Sequence, residues 1–502
     1  MSAIFDPPYP IPYNPINGTV EAFEGTIRPV YNVLDYGADP TGVVPSASAV
    51  QKAANDLEAA GGGTLYGIGT FLIESPILLP SNCTVAGAGA GVTTWKQGFA
   101  ASGIDAQGVF ENADTVAGNP FISFRDCTIL CTPVTGASPN LSTSTCAVYF
   151  QGCSDASFHN IVAQNGTLKG LPLPSEANTP NVNTTGLNHR WHFSNVRGDS
   201  GAEGIYWQQG TGLVTDPDCV FTNSYDSTVS VNSSGEQIIL DGIFDKQGNV
   251  YDAEGCIELN NDGAGDTNGI RDVIVRATCL NNGNASSQGM VATGVTGLRL
   301  DGCESRGHAG NGALLQNCDD VRAGGGFAFD GNSLSGVKVA ASTCTGFTMT
   351  GGSAANNSEH GISWGVATAT DVAIVGVNLR GNAGGAVDVF GPVTRGKIAD
   401  CAIDLVGDVN INGQAGWIVR GCAPYNPVGP VTVAVPASGS ATAALPYDAT
   451  FYITQATAAS SVAVQGQTID IPIGGPTAIR VPAGQTLTPT YTTAPTWVVM
   501  GE

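Results

Sequence analysis

The sequence predicts an all-β fold: a right-handed parallel β-helix, closed at its N-terminal end by a short capping helix and followed by a small C-terminal β-sandwich. Three observations predict it. Glycine-led apolar stretches begin at Gly312, Gly336, Gly361 and Gly385. A second thread, Asn284, His308, Asn332, Asn357 and Asn382, recurs at spacings of 24, 24, 25 and 25. The chain also holds 68 glycines with only 12% charged residues, a composition of short strands and tight turns. A near-constant period of this kind describes a coil of strands in which each turn buries its inner face against the turns above and below. Such a shaft offers a long rigid side wall, suited to gripping or cutting an extended polymer rather than enclosing a small molecule.

Three segments divide the chain. Residues 1–29 are rich in proline, asparagine and tyrosine and read as an extended docking arm. Residues 30–423 read as the capped solenoid. Its first part carries one helix: Ser48 and Gln51 have capping-box spacing, Val50, Ala53, Ala54 and Leu57 share a face, and Gly61 to Gly63 stop it. A helix here would plug the open end of the coil and cover a row of unpaired backbone groups. Two stretches, 164–190 and 260–269, interrupt the period and project from the wall as ligand-contact candidates. Residues 424–502 change character. From Tyr425 onward the only charged side chains are Asp448, Asp470, Arg480 and Glu502, and the alternating stretches VTVAV, TFYIT, SVAVQ and TWVVM read as strands of a sandwich. So few charges predict burial against other copies of the chain or a role in glycan binding.

A net charge of −23 repels phosphate backbones and anionic lipid headgroups, which argues against nucleic acid as a partner, and no apolar run is long enough for membrane insertion. The 13 cysteines include no CxxC pair and fall at similar points of successive turns, the pattern of reduced thiols filling an inward column. The opening MSAIFDPPYPIPYNP lacks a basic segment followed by an apolar one, which predicts synthesis in a reducing cytosol with exit by another route, or a signal already removed.

The run YNVLDYGADPTG, then the helix, then AAGGGTLYGIGTFLIESPILLPSNCTVAGAGAG resembles the N-terminal segment of the pectate-lyase-like superfamily over residues 31–91. Where many members carry Asp-Asp-Thr before the helix, this chain has Pro45, Ser46 and Ala47, the loss of a local cap. The superfamily includes pectin-degrading enzymes and bacteriophage tailspikes. The resemblance, the arm, the missing signal and the charge-poor terminus together imply a virion tail protein. It would be a homotrimer, attached through its arm to other tail proteins, that binds host-surface polysaccharide, with cleavage of that polysaccharide left open. The alternatives are a secreted polysaccharide lyase or glycoside hydrolase, and a structural tail component without ligand.

Hydrolysis of a glycosidic bond needs two carboxyl groups roughly 5 to 9.5 Å apart, and neighbouring coils at ~4.8 Å can supply them. The richest carboxylate region runs from Asp241 to Asp272. Within it Glu258, outward between Ile257 and Leu259, with Asp262 and Asp245, are the catalytic candidates; a solvated acidic face is the other reading. Asp262 and Asp266, in a glycine-bent loop, would suit Ca2+, though no cofactor is required. Arg271 or Arg276 beside them would imitate the basic residue of a lyase. The motif set of a polygalacturonase occurs only as fragments in the wrong order: Asn261-Asp262, Gly307-His308-Ala309, Asp319-Asp320 and Arg395-Gly396-Lys397. His308 falls in the asparagine column and reads as a turn residue. Trp191, Tyr206, Trp207 and Tyr225 are the candidates for stacking on sugar faces, with core packing as the alternative.

Overall fold

A computed structural model describes residues 29–100, 107–133, 146–173, 187–200, 203–224, 226–246, 255–261, 269–280, 287–404, 409–411, 416–422, 429–445, 447–454 and 460–501. The arm up to residue 28, Asn284, Tyr225, Asp262, Asp266 and residues 174–186 of the 164–190 excursion lie outside these residues.

The described residues up to Cys422 wind into a right-handed parallel β-helix with three sheets. One coil consists of Gly255–Asn260, Ile270–Val275 and Thr278–Leu280, and the next of Gln288–Thr293, Val295–Asp301 and Glu304–Arg306. The stacking is strand on parallel strand: Glu258 pairs with Val291 and then Leu314 in the first sheet, Val273 with Leu298 in the second, and Cys279 with Ser305 and then Phe329 in the third. Side chains alternate, so one face of every strand points into a shared core and the other forms an outer wall. Inside, like stacks on like: Phe124, Phe158 and Phe193 sit on successive coils with ring planes 6° apart at each step, at 5.5 and 4.6 Å. All 13 cysteines are free and buried, as their spacing predicts.

The bend between the first and second sheets repeats one backbone conformation down the coil. Asp155, Arg190, Gln237, Asp272, Asp320, Asp371 and Arg395 all have φ between 49° and 63° there, a left-handed geometry unusual for residues other than glycine, asparagine and aspartate. Side chains tie two of these bends to their neighbours: Arg190 Nη2 lies 2.7 Å from Asp155 Oδ2, and Arg395 Nη2 lies 2.6 Å from Asp371 Oδ2. A second column fills the corner before each first-sheet strand. The backbone N–H of His308 donates to Asn332 Oδ1 (3.1 Å), that of Asn332 to Asn357 Oδ1 (2.9 Å) and that of Asn357 to Asn382 Oδ1 (2.9 Å). The 24- and 25-residue spacing is therefore one amide per coil, each satisfying the corner above it.

The helix Ala47–Ala59 caps the N-terminal coil with Ala47, Val50, Ala53, Ala54 and Leu57 buried. Its start differs from the predicted capping box. The N-cap is Ser46, whose side chain caps nothing; Glu74, from the next coil, accepts the backbone N–H groups of Ser46 and Ala47 at 3.1 and 3.0 Å. A carboxylate at a helix N-terminus also complements the dipole, so the cap missing from the local sequence is supplied from 28 residues away. Gln51 hooks the helix to the coil instead, exchanging two hydrogen bonds with the backbone of Leu78.

Beyond residue 428 the strands turn antiparallel. Four of them, Gly429–Val431, Thr496–Gly501, Ala449–Thr454 and Pro476–Val481, form one sheet; Gln467–Ile471, Ser460–Val464 and Leu487–Thr490 form another. They share a separate core built on Phe451, Ile453, Val462, Leu487 and Val499. Asp448 joins this unit to the last coil, 3.5 Å from Arg420 and 3.0 Å from Arg480. No helix among the described residues is long and apolar enough to cross a membrane.

Candidate functional site

Strand pairing lines up one outward row on the first sheet: Glu111, Tyr149, Lys169, Tyr206, Ser230 and Glu258, one per coil. Because parallel strands stack in register, residues far apart in sequence become neighbours at ~4.8 Å. Lys169 Nζ sits between two rings, 5.9 Å from the centre of Tyr149 and 4.7 Å from that of Tyr206, and each ring face attracts the ammonium. At the lower end Ser227 Oγ donates to Glu258 Oε2 at 2.9 Å and Asn260 Nδ2 to Oε1 at 3.4 Å.

The corner before these strands adds two carboxyl groups. Glu203 is 9% exposed and Asp226 5%. Burial pushes Glu203 well above the ordinary carboxyl range; the charges of Asp226 and, less strongly, Glu258 push the same way, and Lys169 pulls against them. Its backbone N–H donates to Thr167 Oγ1, but its carboxyl group makes no hydrogen bond among the described residues. Burial also raises Asp226, opposed by the charge of the fully buried Lys246 and by the N–H of Ser227. Burial raises Glu111 as well, against a hydrogen bond from the Gly108 N–H. Two carboxyl groups in unlike settings, Glu203 buried and raised and Glu258 half-buried and accepting hydrogen bonds, form the kind of pair that general acid–base chemistry uses.

The structure sorts the predicted residues. Glu258 and half-buried Tyr206 stand on the wall. Trp191 and Trp207 do not: both are 0% exposed, their rings in the core, with Trp191 Nε1 donating to the Cys153 carbonyl at 2.7 Å, so neither can stack on a sugar. Asp245 is 5% exposed at the end of a third-sheet strand and is closed off from a polymer lying on the first sheet. Arg271 and Arg276 pair with Glu236 (3.2 Å) and Asp241 (3.9 Å), side contacts between coils rather than a lyase base. His308 is buried in the corner column, Nε2 3.2 Å from the Cys279 carbonyl, and burial lowers it to about 4. Asp320 pairs with Arg322 and Arg395 with Asp371, so the polygalacturonase-like fragments assemble no site. Tyr225, Asp262 and Asp266, and with them the calcium expectation, fall outside the described residues. Among the described residues no group of three or more His, Cys, Asp or Glu side chains is placed to hold a metal ion. Sequence reasoning missed Glu203, Asp226, Lys169 and Tyr149; strand register is the signal that finds Lys169 and Tyr149.

Residues 30–258 match the family described as rhamnogalacturonase A/epimerase, pectate lyase-like. That stretch is pectate-lyase-like. It contains the capping helix and the whole Glu111–Glu258 row. A stretch of 81 residues is 37% identical to the SPbeta prophage-derived uncharacterized protein YomE of Bacillus subtilis (strain 168), covering 14% of this chain and 12% of that protein. Solved structures of similar fold include the A-module of the mannuronan C-5 epimerase AlgE4 of Azotobacter vinelandii, with 15% identity, TM-score 0.40, and 72% of this chain and 99% of that one covered. Others are the pre-mature gene product 12 of bacteriophage phi29 (16%, TM-score 0.47, 78% and 56%) and tailspike protein 3 of bacteriophage CBA120 (13%, TM-score 0.44, 82% and 65%).

Proposed function

We propose that this chain is a bacteriophage tail protein that binds a host-surface polysaccharide along its first-sheet wall and hydrolyses it there. The observation that carries the cleavage step is Glu203, a buried carboxyl group held above its ordinary range within the field of Glu258. In this reading Glu203 delivers its proton to the glycosidic oxygen as the bond to the anomeric carbon breaks. Glu258, two coils further along the wall, acts as base toward water or as nucleophile, and the Tyr149, Lys169 and Tyr206 stack holds a sugar next to the bond. What supports the tail setting is the likeness of part of the chain to a prophage-derived protein, together with the build of a shaft ending in a charge-poor sandwich. Trimerisation through that sandwich draws support from its outer face, where Tyr452 and Val498 pair side by side at 43% and 54% exposure.

Incubation with envelope polysaccharides tests the reading through release of reducing ends. Glu203→Gln and Glu258→Gln should each cut the rate by about 10²-fold or more while leaving the circular dichroism of the fold unchanged. Unaltered rates in both variants would remove the site, and no release from any envelope preparation would leave a binding or structural tail component. Mass in solution tests assembly, a stable monomer being the outcome that overturns the trimer.

A further inference from the structure

Immediately beside the carboxyl groups, the first sheet carries a second outward row. Gln208, Asn232, Asn260, Thr293 and Gln316 pair in sequence down five coils, and all five are half-buried. Each makes a local bond: Gln208 Nε2 to Ser233 Oγ (3.3 Å), Asn232 Nδ2 to Ser230 Oγ (2.8 Å), Asn260 Nδ2 to Glu258, and Thr293 Oγ1 to Gln316 Oε1 (3.3 Å). An amide has two N–H donors and an accepting oxygen, so these contacts leave donors and acceptors over in every coil. Alongside runs an apolar strip, half-buried Val291 and Leu314, continuing the row of Glu258 until it meets Lys338. The neighbouring corner is uncharged too, Gln288 Oε1 accepting both the N–H and the Nδ2 of Asn311.

We infer that the polysaccharide taken by this wall is uncharged, its hydroxyl groups read by Gln208, Asn232, Asn260, Thr293 and Gln316 and its apolar ring faces laid on Val291 and Leu314. The inference rests on the glycan-cleaving reading above and narrows it to a substrate class. A sugar ring has one apolar face and a rim of hydroxyls, and the two rows reproduce that division coil by coil at the ~4.8 Å strand spacing. A polyuronate would instead bring a carboxylate with every residue. Between Lys169, already held by two tyrosine rings, and Lys338 the two rows offer it no cation, and its charges would approach Glu258.

Retardation of the full chain in native gels cast with single polysaccharides tests this. The panel is dextran, galactan and glucomannan, together with polygalacturonate and alginate and the carboxyl-reduced form of each, in which the backbone is kept and the charge removed. Retardation should be strongest with an uncharged member, and each carboxyl-reduced polymer should bind about tenfold more tightly than its parent at low salt. Asn232→Ala with Gln316→Ala should weaken the uncharged complex about tenfold with melting unchanged, and Thr293→Lys with Gln316→Lys should move preference toward the polyuronate. Tighter binding of a parent polyuronate, fading as salt rises, would overturn the uncharged class and leave the glycan site standing. Retardation by no member would overturn both.

Discussion

The same corner of the coil, just before the first-sheet strand, is built in two ways. In the coils of His308, Asn332, Asn357 and Asn382 it is an amide column in which the backbone N–H of His308, Asn332 and Asn357 each meets the side-chain oxygen of the next turn. In the coils of Glu203 and Asp226 it holds carboxyl groups that burial makes costly to ionise. Both corners stand in the same place, just before a first-sheet strand that pairs in parallel with its neighbours. One spends its polar groups on the stack and the other holds titratable ones beside the wall, the contrast on which the proposed site rests.

The largest effect expected from probing that contrast lies in the closed column. Asn357→Ala removes the acceptor of both the N–H and Nδ2 of Asn332 and the donor to the Phe329 carbonyl. Loss of about 2–4 kcal/mol in denaturant unfolding is expected, and a change under about 0.5 kcal/mol would show that the column is decorative. Next comes acid. His308 falls from 6.5 to about 4 through burial, so its contribution is complete above pH 6.5 and is lost as the pH drops toward 4. His308→Asn keeps the column and should abolish that loss in melting curves taken from pH 7 to 4.

Smaller shifts should mark the open corner. Glu203 is raised, so the fold is favoured below the ordinary carboxyl value of 4.5 and loses that advantage as the pH climbs through the raised one; Glu203→Gln should flatten this slope. In the pH–rate profile of cleavage, Asp226→Asn removes a charge that raises Glu203, and the alkaline limb should move down. Lys169→Met removes a charge that lowers it, and the limb should move up. Movement of both limbs in one direction would separate Glu203 from that limb.

Much of this was legible in the sequence because a solenoid repeats its instructions. The asparagine column, the glycine-led strands and the buried cysteines all follow from period alone. Trp207 was misplaced for a reason the chain does contain: once Tyr206 is set in register with Ser230 and Glu258, alternation sends Trp207 inward with Val231 and Leu259. Glu203 was not legible. Its environment is made by Lys169, Asp226 and Glu258, contributed by three other coils, and no local pattern around a lone glutamate records how those coils align. The helix cap was hidden in the same way, since Glu74 reaches back from a later turn.

That reach has a consequence for size. Glu74 and Gln51 clamp a helix over one end of the coil, and an antiparallel unit is joined through Asp448 to the last described turn at the other. The molecule is thus a ruler whose length is counted in turns. Removing one repeat from the regular stretch would shorten it by about one strand spacing, ~4.8 Å, and leave both fittings as they are.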